Sequence, residues 1–181
     1  MTDKNAQDFD LVKDFLAGNE GAFNQLVKKY HQKIYWHARQ MTGNHLDADE
    51  ILQEVLLVIY KKLNKFKFES SLYTWIYRIT ATRSLNLIKR RNIKRIFSLS
   101  DFDDNRIRKE DEIVKGIENK EKLEKLDKVL KKLPLKQREV FVLRNFEELS
   151  YEEISKITNK SVGGLKANYF HALSKVTELM K

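Results

Sequence analysis

The stretch Ser150-Tyr151-Glu152-Glu153-Ile154-Ser155-Lys156-Ile157-Thr158-Asn159-Lys160-Ser161-Val162-Gly163-Gly164-Leu165-Lys166-Ala167-Asn168 holds two helix starts separated by one short helix. Ser150 with Glu153 forms a capping box, in which the hydroxyl accepts from the Glu153 N–H and the carboxylate reaches back. The helix it starts carries Ile154 and Ile157 on one side. Past Thr158-Asn159-Lys160 stands Ser161, a second residue of N-cap type, and then Val162, Leu165, Tyr169, Leu173, Val176 and Met180 recur at helical spacing. Two helices on a tight turn make a helix-turn-helix. Such a motif sets its second helix into the DNA major groove, with base-reading side chains near the N-terminal end. Gly163 and Gly164 lie in that first turn, where the lack of a side chain lets the helix end approach a phosphate. A helical hairpin packed on its own domain is the plain alternative.

Helical spacing also governs the chain on either side. Phe23, Leu26, Val27, Tyr30, Ile34, Ala38 and Met41 share one helix face that ends near Gly43-Asn44. Ile51, Leu52, Val55, Leu56, Ile59 and Leu63 follow Asp47, which is placed to cap that helix with Glu50 three residues on. A third helix runs from Leu72 through Trp75, Ile76, Ile79 and Ile88 to Lys89-Arg90-Arg91. Leu123, Leu126, Leu130 and Leu133 lead to Pro134, and Val140, Phe141 and Leu143 continue beyond it. The fold class is therefore all-α. Ser98-Leu99-Ser100-Asp101-Phe102-Asp103-Asp104-Asn105 breaks the pattern with turn-forming and acidic residues. The expected organisation is two small helical domains, residues 1–92 and 119–181, joined by a flexible linker over 93–118.

The chain has 181 residues, 35 Lys and Arg against 26 Asp and Glu, one Pro, six Gly and no Cys. Without Cys there is no disulfide framework, thiol nucleophile or Cys-ligated metal centre. The four His form no metal-ligand spacing, no Gly-rich phosphate loop is present, and neither a cofactor nor catalysis is expected. No apolar run approaches the roughly 20 residues that span a bilayer, so neither export nor membrane insertion is expected. The net charge of +9 favours a polyanion as partner, because each cation set on a phosphate releases counterions. Both helical domains are net basic and the middle is balanced.

Two further surfaces stand out. Lys65-Phe66-Lys67-Phe68-Glu69-Ser70-Ser71-Leu72-Tyr73-Thr74-Trp75, with Tyr77 and Arg78, interleaves cations and rings in the manner of a single-strand binding surface. Trp75 shares the core register of Leu72, Ile76 and Ile79, which leaves Tyr73 and Tyr77 as the stacking candidates. Asp49, Glu50, Gln53, Glu54 and Leu57 lie together on one helix face. An acidic patch repels DNA, so this face reads as a protein-docking surface, with a solvated helix face as the alternative.

Taken together, these residues resemble the extracytoplasmic-function sigma factors, the smallest sigma subunits of bacterial RNA polymerase, over nearly the whole chain. Asp47-Ala-Asp-Glu-Ile-Leu-Gln-Glu54 is similar to the family's polymerase-clamp-binding segment, and Tyr73-Thr-Trp-Ile-Tyr-Arg-Ile79 with Lys89-Arg-Arg91 to its promoter-melting helix. Leu133-Pro-Leu-Lys-Gln-Arg-Glu-Val-Phe141, Leu149-Ser-Tyr-Glu-Glu-Ile154 and Ser161-Val-Gly-Gly-Leu-Lys166 are similar to its second domain.

The resemblance implies a cytoplasmic, non-catalytic initiation subunit that binds core polymerase, through its beta and beta-prime subunits, and promoter DNA. Polymerase binding falls on Asp47, Asp49, Glu50, Gln53, Glu54 and Leu57. Minus-ten DNA falls on Lys67, Ser70, Ser71, Tyr73, Arg78, Thr82, Asn86, Lys89, Arg90 and Arg91, and minus-thirty-five DNA on Lys160, Ser161, Gly164, Lys166, Ala167, Asn168 and His171. The acidic linker, with Asp101, Asp103 and Asp104, is expected to enter the polymerase along a basic channel, with a disordered tether as the alternative. An anti-sigma factor is a further expected partner.

The sequence departs from the family at Thr82 and Asn86, and at Lys166-Ala167-Asn168 and His171, where cationic readers are usual. A DNA-bound recruiting partner upstream, or an A/T-rich element read by Asn168 and His171, are the two consequences. A free-standing helix-turn-helix regulator would need neither the acidic face nor the basic-aromatic loop.

Overall fold

The computed structural model of the protein describes residues 3–97 and 117–180, and among them every regular element is helical. The first half comprises α1 (Asp3–Leu16), α2 (Glu20–Thr42), α3 (His45–Lys62), a 3-10 turn at Leu63–Lys65 and α4 (Leu72–Phe97). The second comprises α5 (Ile117–Lys132), α6 (Leu135–Asn145), α7 (Tyr151–Thr158) and α8 (Val162–Met180).

The apolar spacing of α2, α3 and α4 becomes one core. Leu26, Tyr30, Ile34 and Ala38 meet Ile51, Val55 and Ile59, and Leu72 and Ile76 close the bundle from α4. Each leucine, isoleucine or valine among them contributes about 1.5–3 kcal/mol when fully buried. Trp75 packs against this core beside the Phe66 ring, as its register implies. Helix α1, N-terminal to the periodic stretch that starts at Phe23, adds Val12 to the core and ties itself to α2 through Asp8. The buried Asp8 carboxylate accepts from the Tyr30 hydroxyl and from Lys29 Nζ, each at 2.6 Å.

Helix ends follow local chemistry, with one reassignment. Gly43 closes α2 at φ 67°, a left-handed cap that favours glycine, and its N–H donates to the Arg39 carbonyl. Asn44, not Asp47, caps α3: its side chain accepts from the Asp47 N–H at 3.2 Å. Asp47 therefore lies inside the first turn, where its carboxylate is buried and ion-paired with Arg91 of α4. Pro134 stands between α5 and α6 as expected, since it cannot continue a helix.

The linker expectation needs narrowing. Helix α4 runs on to Phe97 and α5 begins at Ile117, so the ends of the expected 93–118 linker are helical. Residues 98–116, including Asp101, Asp103 and Asp104, lie outside the described residues.

The two halves pack on one another. Tyr77 of α4 sits in a cluster with Val140, Leu143, Leu149, Ile154, Ile157 and Leu165, all from the second half. A separate cluster of Val129, Leu130, Leu133, Phe141, Ala172 and Val176 binds α5, α6 and α8 together. Arg138 of α6 crosses the seam to donate to the Met41 carbonyl at 2.6 Å, and Arg39 pairs with Asp127 at 2.8 Å.

Candidate nucleic-acid and partner interfaces

The helix-turn-helix forms as its caps dictate. Ser150 Oγ accepts from the Glu153 N–H at 3.2 Å, and the Glu153 carboxylate accepts from the Ser150 N–H at 2.8 Å. Asn159 takes the left-handed conformation at the end of α7, and Ser161 Oγ caps α8 by accepting from the Gly164 N–H at 3.2 Å. The turn between them is short because both caps act within it.

Helix α8 is rotated from the expected face. Leu165, Ala172 and Val176 are buried, whereas Leu173 is 42% exposed. Leu173 keeps a spacing of four from Tyr169 but stands one residue round from Ala172, which the core takes instead. Phe170, which the sequence reading did not single out, is 69% exposed beside the exposed Lys166, Ala167 and His171. Its only advance signal is its position opposite Leu165 and Ala172.

The other expected upstream readers are partly engaged. Asn168 Nδ2 donates to the Gly164 carbonyl at 2.7 Å, Lys160 is ion-paired with the buried Glu139, and Lys166 lies over the Tyr151 ring at 5.7 Å. Ser161 and Gly164 serve the helix cap.

On the first half, Ser71 Oγ accepts from the Thr74 N–H at 3.1 Å and so opens α4, and Ser70 Oγ donates to the Ser71 carbonyl. Phe68 takes a positive φ of 59° in this loop, while Lys67 and Arg78 are exposed. Tyr73 is half-buried, with Lys33 Nζ 5.0 Å from its ring centroid and its hydroxyl donating to Glu147 at 2.9 Å. Arg78 donates to the Lys156 carbonyl of α7. Tyr77 corrects the sequence reading: it is 1% exposed, its ring set at 82° to the buried His37, so it offers no open stacking face in this arrangement. Burial pushes the Tyr73 and Tyr77 hydroxyls far above their ordinary range, and both remain protonated. Thr82 Oγ1 donates to the Arg78 carbonyl within α4, and Asn86 is exposed on the same helix.

The acidic face of α3 is flanked by cations from α4. Arg83 meets Glu54 at 3.3 Å, Arg90 meets Glu50 at 3.9 Å and Arg91 pairs with Asp47. Burial raises the Asp47 pKa and the Arg91 charge opposes that rise. Asp47 is thus a structural anchor for α4, while Asp49, Glu50 and Glu54 keep exposed oxygens. Lys89 is exposed, as is Arg90.

Beside these acids runs an apolar groove of about 560 Å³, lined by Phe23, Val27, Gln53, Leu56, Leu57 and Tyr60. Leu57 is 58% exposed there. An open apolar groove rimmed by charge fits a protein partner better than solvent. Phe23 and Val27, read from spacing as core, are half-buried walls of this groove. Among the described residues no group of His, Asp and Glu is arranged to hold a metal ion, and no helix is long and apolar enough to cross a membrane.

Comparison with known proteins agrees with this geometry. Residues 26–93 match the family model described as sigma-70 region 2, and residues 123–176 match sigma-70, region 4. The chain is 29% identical to the RNA polymerase sigma-H factor of Pseudomonas aeruginosa, over 97% of this chain and 94% of that protein. It is 28% identical to the ECF RNA polymerase sigma factor SigW of Bacillus subtilis, over 86% and 87% respectively. Its fold is similar to that of the sigma factor RpoE from Bartonella quintana, solved with the anti-sigma factor NepR, at a TM-score of 0.73 and 22% identity over 87% of this chain and 96% of the other.

Proposed function

The chain belongs to the extracytoplasmic-function sigma factors of the sigma-70 family, transcription initiation factors, and from that premise we propose that it docks on core RNA polymerase through α3 and captures the opened non-template strand through the start of α4. The observation that carries this reading is the pairing of two unlike surfaces on one bundle. The α3 groove with Glu50, Gln53, Glu54 and Leu57 is acidic and apolar, which suits a basic helical surface and repels DNA. The loop Lys67–Ser71 with Tyr73, Arg78, Thr82 and Asn86 offers cations, a ring and short polar side chains, the groups that hold an unstacked base.

Upstream DNA falls to α8. Lys166 and His171 stand beside exposed Ala167 and Phe170, and apolar groups of that kind contact thymine methyls in the major groove. With the Asn168 amide turned onto Gly164, a T-containing element read by this apolar face is favoured over adenine pairing by Asn168. The region 4 match and the solved relative's anti-sigma complex support an anti-sigma factor as a further partner.

Two variants separate the two surfaces. Glu54→Lys places a like charge against the basic partner and should weaken binding to core polymerase by several kcal/mol without unfolding the chain. Tyr73→Ala should bind core as wild type does but lose permanganate reactivity at the opened promoter. Unchanged core binding by folded Glu54→Lys, or wild-type promoter opening by Tyr73→Ala, would refute the corresponding assignment.

A further inference from the structure

The carboxylates of α3 that the docking reading gives to the polymerase are already met by cations of the same chain. Arg83 of α4 lies 3.3 Å from Glu54, Arg90 lies 3.9 Å from Glu50, and Arg91 is paired with Asp47. These three pairs differ in kind. The Asp47 side chain is 3% exposed, and a buried carboxylate stripped of its cation is costly, so Arg91 is held in place. The side chains of Glu54 and Glu50 are 37% and 51% exposed, and those of Arg83 and Arg90 are 41% and 63% exposed. Ion pairs so open to water shift an equilibrium by only about threefold each, and they give way readily to another partner.

The same two arginines border the nucleic-acid face of α4. Asn86 stands three residues after Arg83 and four before Arg90, a spacing that sets all three in one row along the helix. Asn86 is exposed in that row, as are Arg90 and the neighbouring Thr82. Arg83 has no part in the strand-capture set described above, yet it stands where the acidic docking face and the DNA face meet. A guanidinium can serve either side, because its fork of donors matches carboxylate and phosphate alike.

We propose that Arg83 and Arg90 are exchange cations: in the free chain they neutralise Glu54 and Glu50, and when polymerase cations take those carboxylates the two guanidinium groups pass to phosphates of the DNA held on α4. The inference rests on the α3 docking and α4 strand-capture readings given above. Charge balances throughout the exchange, since both acids end against polymerase cations and both arginines end against phosphate. Each arginine set on a phosphate also releases condensed counterions. The coupling is reciprocal. Whatever factor polymerase docking adds to DNA affinity, DNA returns to polymerase affinity.

Two titrations of the full chain test this. In the first, purified bacterial core polymerase is titrated into the chain carrying an N-terminal dye. Arg83→Gln/Arg90→Gln frees both acids and should bind core about tenfold more tightly, whereas Arg83→Lys/Arg90→Lys should stay near wild type. In a Glu50→Gln/Glu54→Gln background the same arginine changes should have no effect, which separates exchange from a general loss of repulsion between basic surfaces. In the second, a fluorescein-labelled random-sequence single-stranded DNA pool about 12 nucleotides long is titrated with free chain. Glu50→Gln/Glu54→Gln should tighten this binding about tenfold, and adding Arg83→Gln/Arg90→Gln should remove the gain. Core binding by the arginine variant at or below wild-type affinity, or strictly additive effects in either titration, overturns the exchange. If Glu54→Lys still weakens core binding in that case, the docking reading stands without it. If Glu54→Lys leaves core binding unchanged, the docking reading and the exchange fall together.

Discussion

Single residues carry the contact between the halves. Arg138 reads in the sequence as one cation among Lys136-Gln137-Arg138-Glu139, yet it is buried and donates to the carbonyls of Met41, Lys131 and Leu133. Nothing local marks it, because Met41 stands on a different domain. Arg138→Met keeps the stem and strands those acceptors, so urea denaturation should show a loss of about 2–4 kcal/mol. An unchanged midpoint would show that water replaces the guanidinium without cost. His37 is equally unmarked among four scattered histidines. Full burial lowers its pKa from 6.5 to about 4. The unfolded chain therefore binds one more proton than the folded chain between those values, and stability rises with pH across that window. His37 contributes its full share above pH 6.5, and that share falls away as pH drops toward 4. His37→Phe, which retains the ring contact with Tyr77, should flatten this part of the stability–pH curve. A slope identical to wild type would mean that other groups set it.

At the scale of elements, the sequence was most legible where helix chemistry is local. The Ser150–Glu153 capping box, the Ser161 cap, the break at Pro134 and the end of α2 at Gly43 are all written in neighbouring residues, and all four form. Ser150→Ala should cost about 1 kcal/mol, read as a roughly fivefold loss of hydrogen-exchange protection at the Ile154 and Ile157 amides. Protection equal to wild type would place the stability of α7 in its packing alone. Where two cap residues compete, the sequence was ambiguous: Asn44 and Asp47 are both good caps, and Asn44 prevails because Asp47 is drawn inward by Arg91. The face of α8 was misplaced by one residue because Leu173 and Ala172 both fit a spacing of three or four. The larger side chain was the natural choice, but the core beside Val129 and Val176 holds the smaller one. Helix α1 was readable from Phe9, Val12 and Leu16, which keep helical spacing.

For the whole molecule, the two-domain, all-α architecture follows from apolar periodicity and from the break around Ser98–Asn105, and the comparisons agree with it. The docking of one half on the other does not, because Tyr77, His37 and Arg138 find their partners only in three dimensions. The same closure explains why Tyr77 reads as a stacking candidate by register and is found enclosed. As a sigma factor that docks on core polymerase in the way proposed, this chain should direct the enzyme to start transcription at particular promoters. Purified bacterial core polymerase, mixed with fragmented genomic DNA of the source organism, should yield transcripts with discrete 5′ ends only when this chain is added, and Glu54→Lys should abolish them. Discrete starts in its absence, or none in its presence, would contradict the account.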